Sequence, residues 1–238
     1  MKPVPCIVVL DTCVLISNVL RQGLLDLARQ GCFVPAWSRI IGDEWVRNAA
    51  RLWEIDVSEV QTQWDALQAA WPAADLGDVA AYKQGLERSD PKDWHVVAAA
   101  RKALAQCAAP TRVAVVTRNI RDFHRAELYH LGLELLDPDQ LMVRCLEHHP
   151  ERIAAMLARV PGYAMEYGRP REALGDILRR ERLFRLNKLW ETMRPPLREP
   201  AESPLTELPL TELPLTGAPL IESRPSGLAG GDKEEGWS

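Results

Sequence analysis

Short aliphatic runs recur along the first part of the chain, and the intervals between them have helical spacing. The run IVVL at residues 7–10 shows no polar alternation, which is typical of a strand buried on both faces of a parallel sheet. The segments RVAVVT (residues 112–117) and LELLD (residues 133–137) have the same character and predict a second and a third strand. We therefore expect a small parallel sheet whose strands are separated by helices.

Helical periodicity fills the intervals between these runs. Leucines spaced through residues 15–31 predict a helix that ends in a left-handed cap at Gly31. Ser38 can cap a second helix, and the apolar positions of that helix are Ile41, Trp45, Ala49 and Leu52. Further helices are predicted over residues 57–71, over 78–87, after the turn at Asp90-Pro91 and over 124–132. The alternation predicts an α/β fold, a three-layer α/β/α sandwich with a central parallel sheet.

The pattern changes after Asp137. Residues 138–194 have helical spacing throughout and predict a small helical extension. From Pro195 the chain is rich in proline and carries the repeat PLTEL PLTEL PLTGA, which has too little apolar bulk for a core and predicts a disordered tail. The expected organisation is an α/β sheet domain at 1–137, a helical extension at 138–194 and a disordered tail at 195–238.

Composition narrows the classes of function. The chain has 238 residues, 47% of them hydrophobic, which suits a folded protein with a sizeable core. A formal net charge of −4 provides no global attraction for nucleic acid, so such binding requires a local basic patch. Five cysteines without CxxC spacing indicate free thiols in a reducing cytosol. The apolar run near the N-terminus is too short for a signal peptide or a bilayer span, so we expect a cytoplasmic protein without membrane contact.

An aspartate, Asp11, follows the first apolar run directly. Burying an isolated carboxylate costs several kcal/mol unless a cation or hydrogen bonds compensate it. Three other acids lie at comparable places: Glu44 on the second helix, Asp93 before the alanine-rich helix and Asp122 after the second strand. Because the carboxyl ends of parallel strands meet at one edge of a sheet, these acids can converge there. Carboxylates without histidine or thiolate partners suit Mg²⁺ or Mn²⁺, which points to metal-assisted cleavage of a phosphate ester.

Simpler roles are open for several of these residues. Asp11 and Asp93 can serve as caps, and His95 can pack near Asp93 or bond to the backbone. The tryptophans fall mostly at apolar helical positions, which favours the core or a protein interface, such as that of a homodimer, over stacking on RNA. No Ser/His/Asp or Cys/His spacing, glycine-rich phosphate loop or zinc pattern is present. A dehalogenase-like phosphatase needs a second aspartate where this chain has Cys13.

Four segments in this order resemble the PIN-domain ribonucleases, in particular the VapC-type toxins of bacterial toxin-antitoxin pairs. They are IVVLDTCVLIS, WSRIIGDEWVRN, DPKDWHVVAAA and VVTRNIRDF, within residues 5–137. The resemblance implies a PIN-like fold with a catalytic set formed by Asp11, Glu44, Asp93, Thr117, Asn119 and Asp122. The four acids of this set would bind Mg²⁺ or Mn²⁺. Many members have an aspartate where this chain has Asn119, so either Asp122 supplies the missing charge or a single ion suffices.

The resemblance also implies a function and partners. It implies an endoribonuclease that cleaves a structured RNA, either tRNA or rRNA, inhibits translation and is neutralised by a cognate antitoxin protein. The predicted contacts to RNA phosphates flank the acidic positions in sequence; they are Arg47, Lys92, Arg118 and Arg121. A solvated surface position is the alternative for each of them. The basic segment at 179–185 is a second candidate RNA surface or an ordinary exposed face. The alternative to an enzyme is an inactive PIN-like scaffold that acts by binding protein or RNA.

Overall fold

The computed structural model describes residues 2–108, 110–165 and 172–193. Its centre is a four-stranded sheet in which every neighbouring pair of strands is parallel. The strands are β1 (Ile7–Leu10), β2 (Val34–Ala36), β3 (Val113–Val116) and β4 (Leu133–Leu136), in the spatial order β2-β1-β3-β4. The predicted α/β class with a parallel sheet is therefore confirmed, and the arrangement is compatible with a three-layer sandwich.

Ten α-helices surround this sheet in the described part of the chain. They are α1 (Thr12–Leu15), α2 (Asn18–Arg29), α3 (Arg39–Trp53), α4 (Val57–Ala70), α5 (Trp94–Ala105), α6 (Arg125–His130), α7 (Pro138–His148), α8 (Pro150–Met165), α9 (Leu174–Arg180) and α10 (Phe184–Met193). The helix expected over residues 15–31 begins only at Asn18, because the Ser17 hydroxyl caps it by accepting from the backbone N–H of Leu20. Gly31 follows that helix at a φ of 77°, as predicted.

The helix predicted over residues 78–87 is wrong: only a short 3-10 helix forms there, at Ala80–Lys83. The Arg101 guanidinium accounts for this outcome, because it donates to the backbone carbonyls of Tyr82 and Gln84 at 2.6 and 2.7 Å. In a longer α-helix these carbonyls would instead accept hydrogen bonds from backbone N–H groups four residues later. Gly85 then turns the chain at a φ of 80°.

The sequence analysis did not predict the strand β2. It is only three residues long and has Pro35 at its centre. Proline lacks the N–H that a central strand must donate, and it argues against a strand when only the sequence is known. At the edge of the sheet, where β2 lies, one side of the strand has no ladder to complete, so proline is tolerated.

The helix α3 carries the second predicted acid and is held by an aromatic cluster. Its predicted cap is confirmed, since the Ser38 hydroxyl accepts from the backbone N–H of Ile41. Trp45 is buried as predicted and lies with Trp37 on either side of Trp64, with ring centroids 5.6 and 5.7 Å from that of Trp64. Leu52 was expected in the core but is 59% exposed, because the last turn of the helix borders an open cleft.

The segment after Asp137 is helical wherever the structure describes it. A capping box between Asp137 and Gln140 starts α7, and the carboxylate of Asp139 accepts the backbone N–H groups of Arg185 and Leu186 at the start of α10, each at 2.9 Å. The helix α8 packs against α2. The boundary between residues 137 and 138 stays a prediction, and the predicted disordered tail at 195–238 lies outside the described residues.

Composition also led to expectations about the cysteines and about membrane-spanning helices. All five cysteines are free thiols. Among residues 2–108, 110–165 and 172–193, no helix combines the length and the apolar character needed to cross a bilayer.

Gly42 allows α3 and α4 to approach each other, because a Cβ at this position would overlap the indole ring of Trp64. We predict that Gly42→Ala lowers the free energy of unfolding by about 1–3 kcal/mol, since overpacking outweighs the gain in helix propensity. Urea unfolding of the purified protein measures this change. Gly162→Ala is the matched control: it lies in α8 with open space around the added methyl group, so it should be neutral or slightly stabilising. Equal effects of the two variants would contradict the packing argument.

Candidate active site

Asp11 lies at the carboxyl end of β1, beside the equivalent end of β3. The parallel register pairs Leu10 with Val116, so the residues that follow them, Asp11 and Thr117, are neighbours. The Thr117 hydroxyl donates to Oδ2 of Asp11 at 2.6 Å, and the Cys13 thiol donates to the same oxygen at 3.0 Å. The carboxyl group is almost fully buried, with Asp11 only 4% exposed. Asp11 therefore lies at the carboxyl edge of the sheet, the place at which the four acids are expected to meet.

Cys13 acts in this site as a hydrogen-bonding group. Burial, together with the adjacent carboxylate of Asp11, raises the pKa of the thiol to about 12. The group is therefore protonated at neutral pH, and it is a poor nucleophile. Its sulfur accepts the backbone N–H of Arg118 at 3.1 Å, so the thiol connects the start of α1 to the loop after β3. The structure therefore gives this residue a role in local hydrogen bonding.

Glu44 is brought to the same region by α3. Its Oε2 accepts the Thr12 hydroxyl at 3.1 Å and lies 3.2 Å from Nε2 of His95. The neighbouring His95 is the main cause of the lowered pKa of Glu44, against the opposing effect of its partial burial. Nδ1 of His95 lies 2.8 Å from the backbone carbonyl of Lys92, which is the backbone contact considered for this histidine.

Asp93 is the third acid of the region. It ends a short 3-10 helix at Pro91–Asp93 and directly precedes α5. Its Oδ2 is buried and has no hydrogen-bond partner among the described residues. Burial first, and the charge of Asp11 second, raise the pKa of this carboxyl to about 6. A buried carboxylate oxygen without a partner is costly, and Asp93 therefore needs a ligand or a proton.

The three acids repel one another. Burial is the main cause of the raised pKa of Asp11, and the charge of Glu44 adds to it. As placed, no group of three or more His, Cys, Asp or Glu side chains in the described part of the chain lies close enough to hold a metal ion together. The chemistry of the donors nevertheless fits a hard cation, since they are carboxylate oxygens and Oδ2 of Asp93 lacks a partner. A cation would relieve both the repulsion and the desolvation.

Asn119 and Asp122 lie in the loop after β3, and the structure places them differently. Asn119 lines the cleft in front of the acids, and its backbone N–H donates to the Thr117 hydroxyl at 3.0 Å. Asp122 is outside that lining, and its carboxylate lies 3.6 Å from Nζ of Lys92. It acts on Asp93 only through its charge. The predicted role of Asp122 as a metal ligand stays a prediction.

A cleft of about 420 Å³ opens in front of the acids. Asp11, Glu44 and Asp93 contribute to its floor, and its other lining residues are Thr12, Cys13, Ile16, Asn48, Arg51, Leu52, Arg118, Asn119 and Arg182. Such a volume is typical of a site that admits a small ligand or a short stretch of a polymer.

Only one of the four predicted RNA contacts, Arg118, lines this cleft. Lys92 pairs with Asp90 and Asp122. Arg47 and Arg121 are exposed outside the lining. Two other cations line the cleft instead, Arg51 from the end of α3 and Arg182 from the turn between α9 and α10. The sequence analysis missed both. Helical spacing from Arg47 could have pointed to Arg51, one turn later, whereas no local pattern in the sequence connects Arg182 with the acids.

A further carboxylate, Glu127, positions the loop that leads to Asp93. It accepts the backbone N–H groups of Glu87, Arg88 and Ser89 and the Ser89 hydroxyl at 2.6–2.9 Å. Its burial acts to raise its pKa, but these hydrogen bonds outweigh that effect and hold the pKa at about 2. The carboxylate therefore stays charged and fastens the loop to α6. A lone glutamate in a short helix gave no sign of this role in the sequence.

Comparisons of the chain with protein-family models, with curated proteins and with solved structures found no match. The arguments for a function therefore come from the residues of the cleft and from the four segments that resemble the PIN-domain ribonucleases.

We predict that Asp93→Asn stabilises the metal-free protein at pH 7 by about 1 kcal/mol, a value reduced for the partial exposure of the group. The carboxyl has a folded-state pKa of about 6 against an ordinary value of 3.8. The folded state therefore binds the proton more tightly, and the wild type loses stability relative to the variant as the pH rises from about 4 to about 6.

Urea unfolding in EDTA at several pH values measures this difference. Asp65→Asn is the control, because Asp65 is an exposed carboxylate on α4, outside the cleft. A difference between wild type and Asp93→Asn that does not depend on pH would contradict the assignment of the raised pKa.

Proposed function

We propose that the chain is a metal-dependent endoribonuclease of the VapC type, with a PIN-like fold. The observation that carries this proposal is the buried Asp93 oxygen without a partner, in one cleft with the buried carboxyl of Asp11. An arrangement that raises the pKa of two neighbouring carboxyl groups is typical of a functional site.

Asp11, Glu44 and Asp93 would hold an Mg²⁺ or Mn²⁺ ion in this protein. The ion would supply a bound water of lowered pKa and neutralise charge that develops on the scissile phosphate. The neighbouring residues orient the acids: Thr117 and Cys13 fix Asp11, and Thr12 fixes Glu44. The raised pKa of Cys13 excludes this thiol as a competing nucleophile at neutral pH.

The substrate and the biological role come from the resemblance. The four motif segments favour a structured RNA, tRNA or rRNA, as the substrate, and inhibition of translation as the consequence. A cognate antitoxin protein would cover the acidic cleft. Arg51, Arg118 and Arg182 line the same cleft as the acids. Their guanidinium groups support a substrate that carries phosphate groups.

A catalytically inactive PIN-like scaffold is the second candidate. Two observations favour it: Asn119 stands where many members of the family have an aspartate, and the acids as placed do not form a three-ligand metal site in the described part of the chain. Such a scaffold would bind RNA or protein without cleaving it.

Cleavage of total bacterial RNA by the purified protein tests the enzymatic proposal. With Mg²⁺ or Mn²⁺ we expect discrete cuts, which mapping of the new ends would locate. EDTA should abolish them, and Asp11→Asn should lower the rate roughly 100-fold or more, because it removes a charged metal ligand. Asp65→Asn, which removes an exposed carboxylate from α4, should cut like the wild type. Equal cutting by the Asp11→Asn variant would indicate a contaminating nuclease and contradict the proposal.

Thermal unfolding with Mn²⁺ separates the two candidates. A bound ion stabilises the folded state by about 2.7 kcal/mol when its concentration is 100 times its Kd, so the wild type should show a rise in Tm. Asp11→Asn should lose that rise, and Asp65→Asn should keep it. A scaffold without a metal site would show no metal-dependent change in either protein.

A further inference from the structure

Three arginines from separate parts of the chain line the cleft in front of the acids. Arg51 comes from α3, Arg118 from the loop after β3 and Arg182 from the turn between α9 and α10. Arg118 is partly neutralised, since its Nη1 lies 3.5 Å from Oε2 of Glu181. No carboxylate in the described ranges lies within salt-bridge distance of Arg51 or Arg182. The cleft thus combines an acidic floor with two uncompensated guanidinium groups.

Arg182 occupies a backbone position that normally belongs to glycine. Its φ is 61°, in the left-handed region. Its N–H donates to the carbonyl of Arg179 at 3.0 Å, and the N–H of Leu183 donates to the carbonyl of Leu178 at 2.8 Å. This is the Schellman pattern that ends a helix, in which the residue with positive φ is usually glycine because a Cβ is unfavourable there. Glycine would adopt this backbone at lower cost, and the chain instead has here an arginine that lines the cleft.

The turn that carries Arg182 is fixed to the rest of the protein. Leu183, the next residue, is buried in the core. The preceding residue, Glu181, accepts the Ser17 hydroxyl at 2.7 Å, and Ser17 caps α2 beside the cleft. On the other side, Asp139 holds the first backbone N–H groups of α10. These contacts therefore fix the turn, and with it the backbone of Arg182, beside the cleft.

We propose that Arg182, together with Arg51, binds phosphates of an unpaired RNA strand whose scissile phosphate lies at the acidic floor of the cleft. The identity of the polymer rests on the proposed function; the phosphate chemistry rests on the two guanidinium groups, whose planar donors match phosphate oxygens. A cleft of about 420 Å³ accommodates a short stretch of an extended strand, which agrees with recognition of unpaired loops in structured RNA.

Fluorescence anisotropy with a labelled, unpaired RNA oligonucleotide of mixed sequence tests this proposal. The parent protein is Asp11→Asn in EDTA, so that the RNA stays intact. Adding Arg182→Gly should weaken binding roughly three- to tenfold at moderate salt and reduce the slope of log affinity against log salt by about 0.7, the value for one phosphate contact on a single strand. Arg182→Lys should keep most of the slope, since it keeps the charge.

Two control variants exclude indirect effects. Glu54→Gly relieves the same backbone strain at the end of α3, where φ is 55°; it should raise Tm or leave it unchanged, and because it removes a negative charge it should not weaken RNA binding. Arg179→Gln removes one positive charge from α9 outside the cleft and should change affinity little. Arg182→Gly should itself match or exceed the parent in Tm, so that weaker binding cannot be ascribed to unfolding.

The outcomes separate this proposal from the enzymatic one. If Arg182→Gly binds RNA as tightly as its parent, the phosphate site is wrong, whether or not the wild type cleaves RNA. If binding depends on Arg182 but the wild type cleaves nothing with Mg²⁺ or Mn²⁺, the phosphate site stands and the nuclease proposal fails. A parent protein that does not bind the RNA would overturn the phosphate site directly.

Discussion

The burial of one carboxyl group, that of Asp11, is the constraint on which the site depends. The group lies at the end of a strand covered on both faces, and solvent cannot compensate its charge. Two neutral donors, Thr117 and Cys13, bond to one of its oxygens, but they do not remove the cost, because the pKa of Asp11 is still raised. The parallel register of β1 and β3 is what delivers Thr117 to this place. A shift of that register would remove the donor and leave the carboxyl group without its principal partner.

The other acids are held in place by separate sets of contacts. Glu44 depends on α3, which depends in turn on the close approach of Gly42 to Trp64. Asp93 depends on a loop that Glu127 fastens by four hydrogen bonds. Each acid is held by contacts from a different element, so the packing of several elements keeps the mutually repelling carboxylates close together. An arrangement of this kind stores electrostatic free energy that a bound cation releases.

The helical segment after β4 contributes to the cleft as well as to the core. Its turn at Glu181 and Arg182 places one acid against Arg118 and one cation in the cleft that Asp11, Glu44 and Asp93 line. Arg182 itself has a left-handed backbone, which glycine would adopt at lower cost. The sheet part and the helical part of residues 2–193 therefore form the cleft jointly, although their sequence patterns differ.

The strands β1, β3 and β4, most helices, the cap at Ser38 and the acidic residues of the cleft could be predicted from the sequence, because they follow from local periodicity and from single residues in unusual surroundings. The prediction failed for β2, where proline is tolerated because the strand lies at the edge of the sheet, and for residues 78–87, where Arg101 binds backbone carbonyls that an α-helix would use. The cations of the cleft could not be predicted from local patterns: Arg51 and Arg182 line it, while Lys92 is paired with neighbouring carboxylates. The physical reason is that spacing along the chain specifies which face of an element a side chain occupies, whereas convergence of distant side chains depends on how the elements pack.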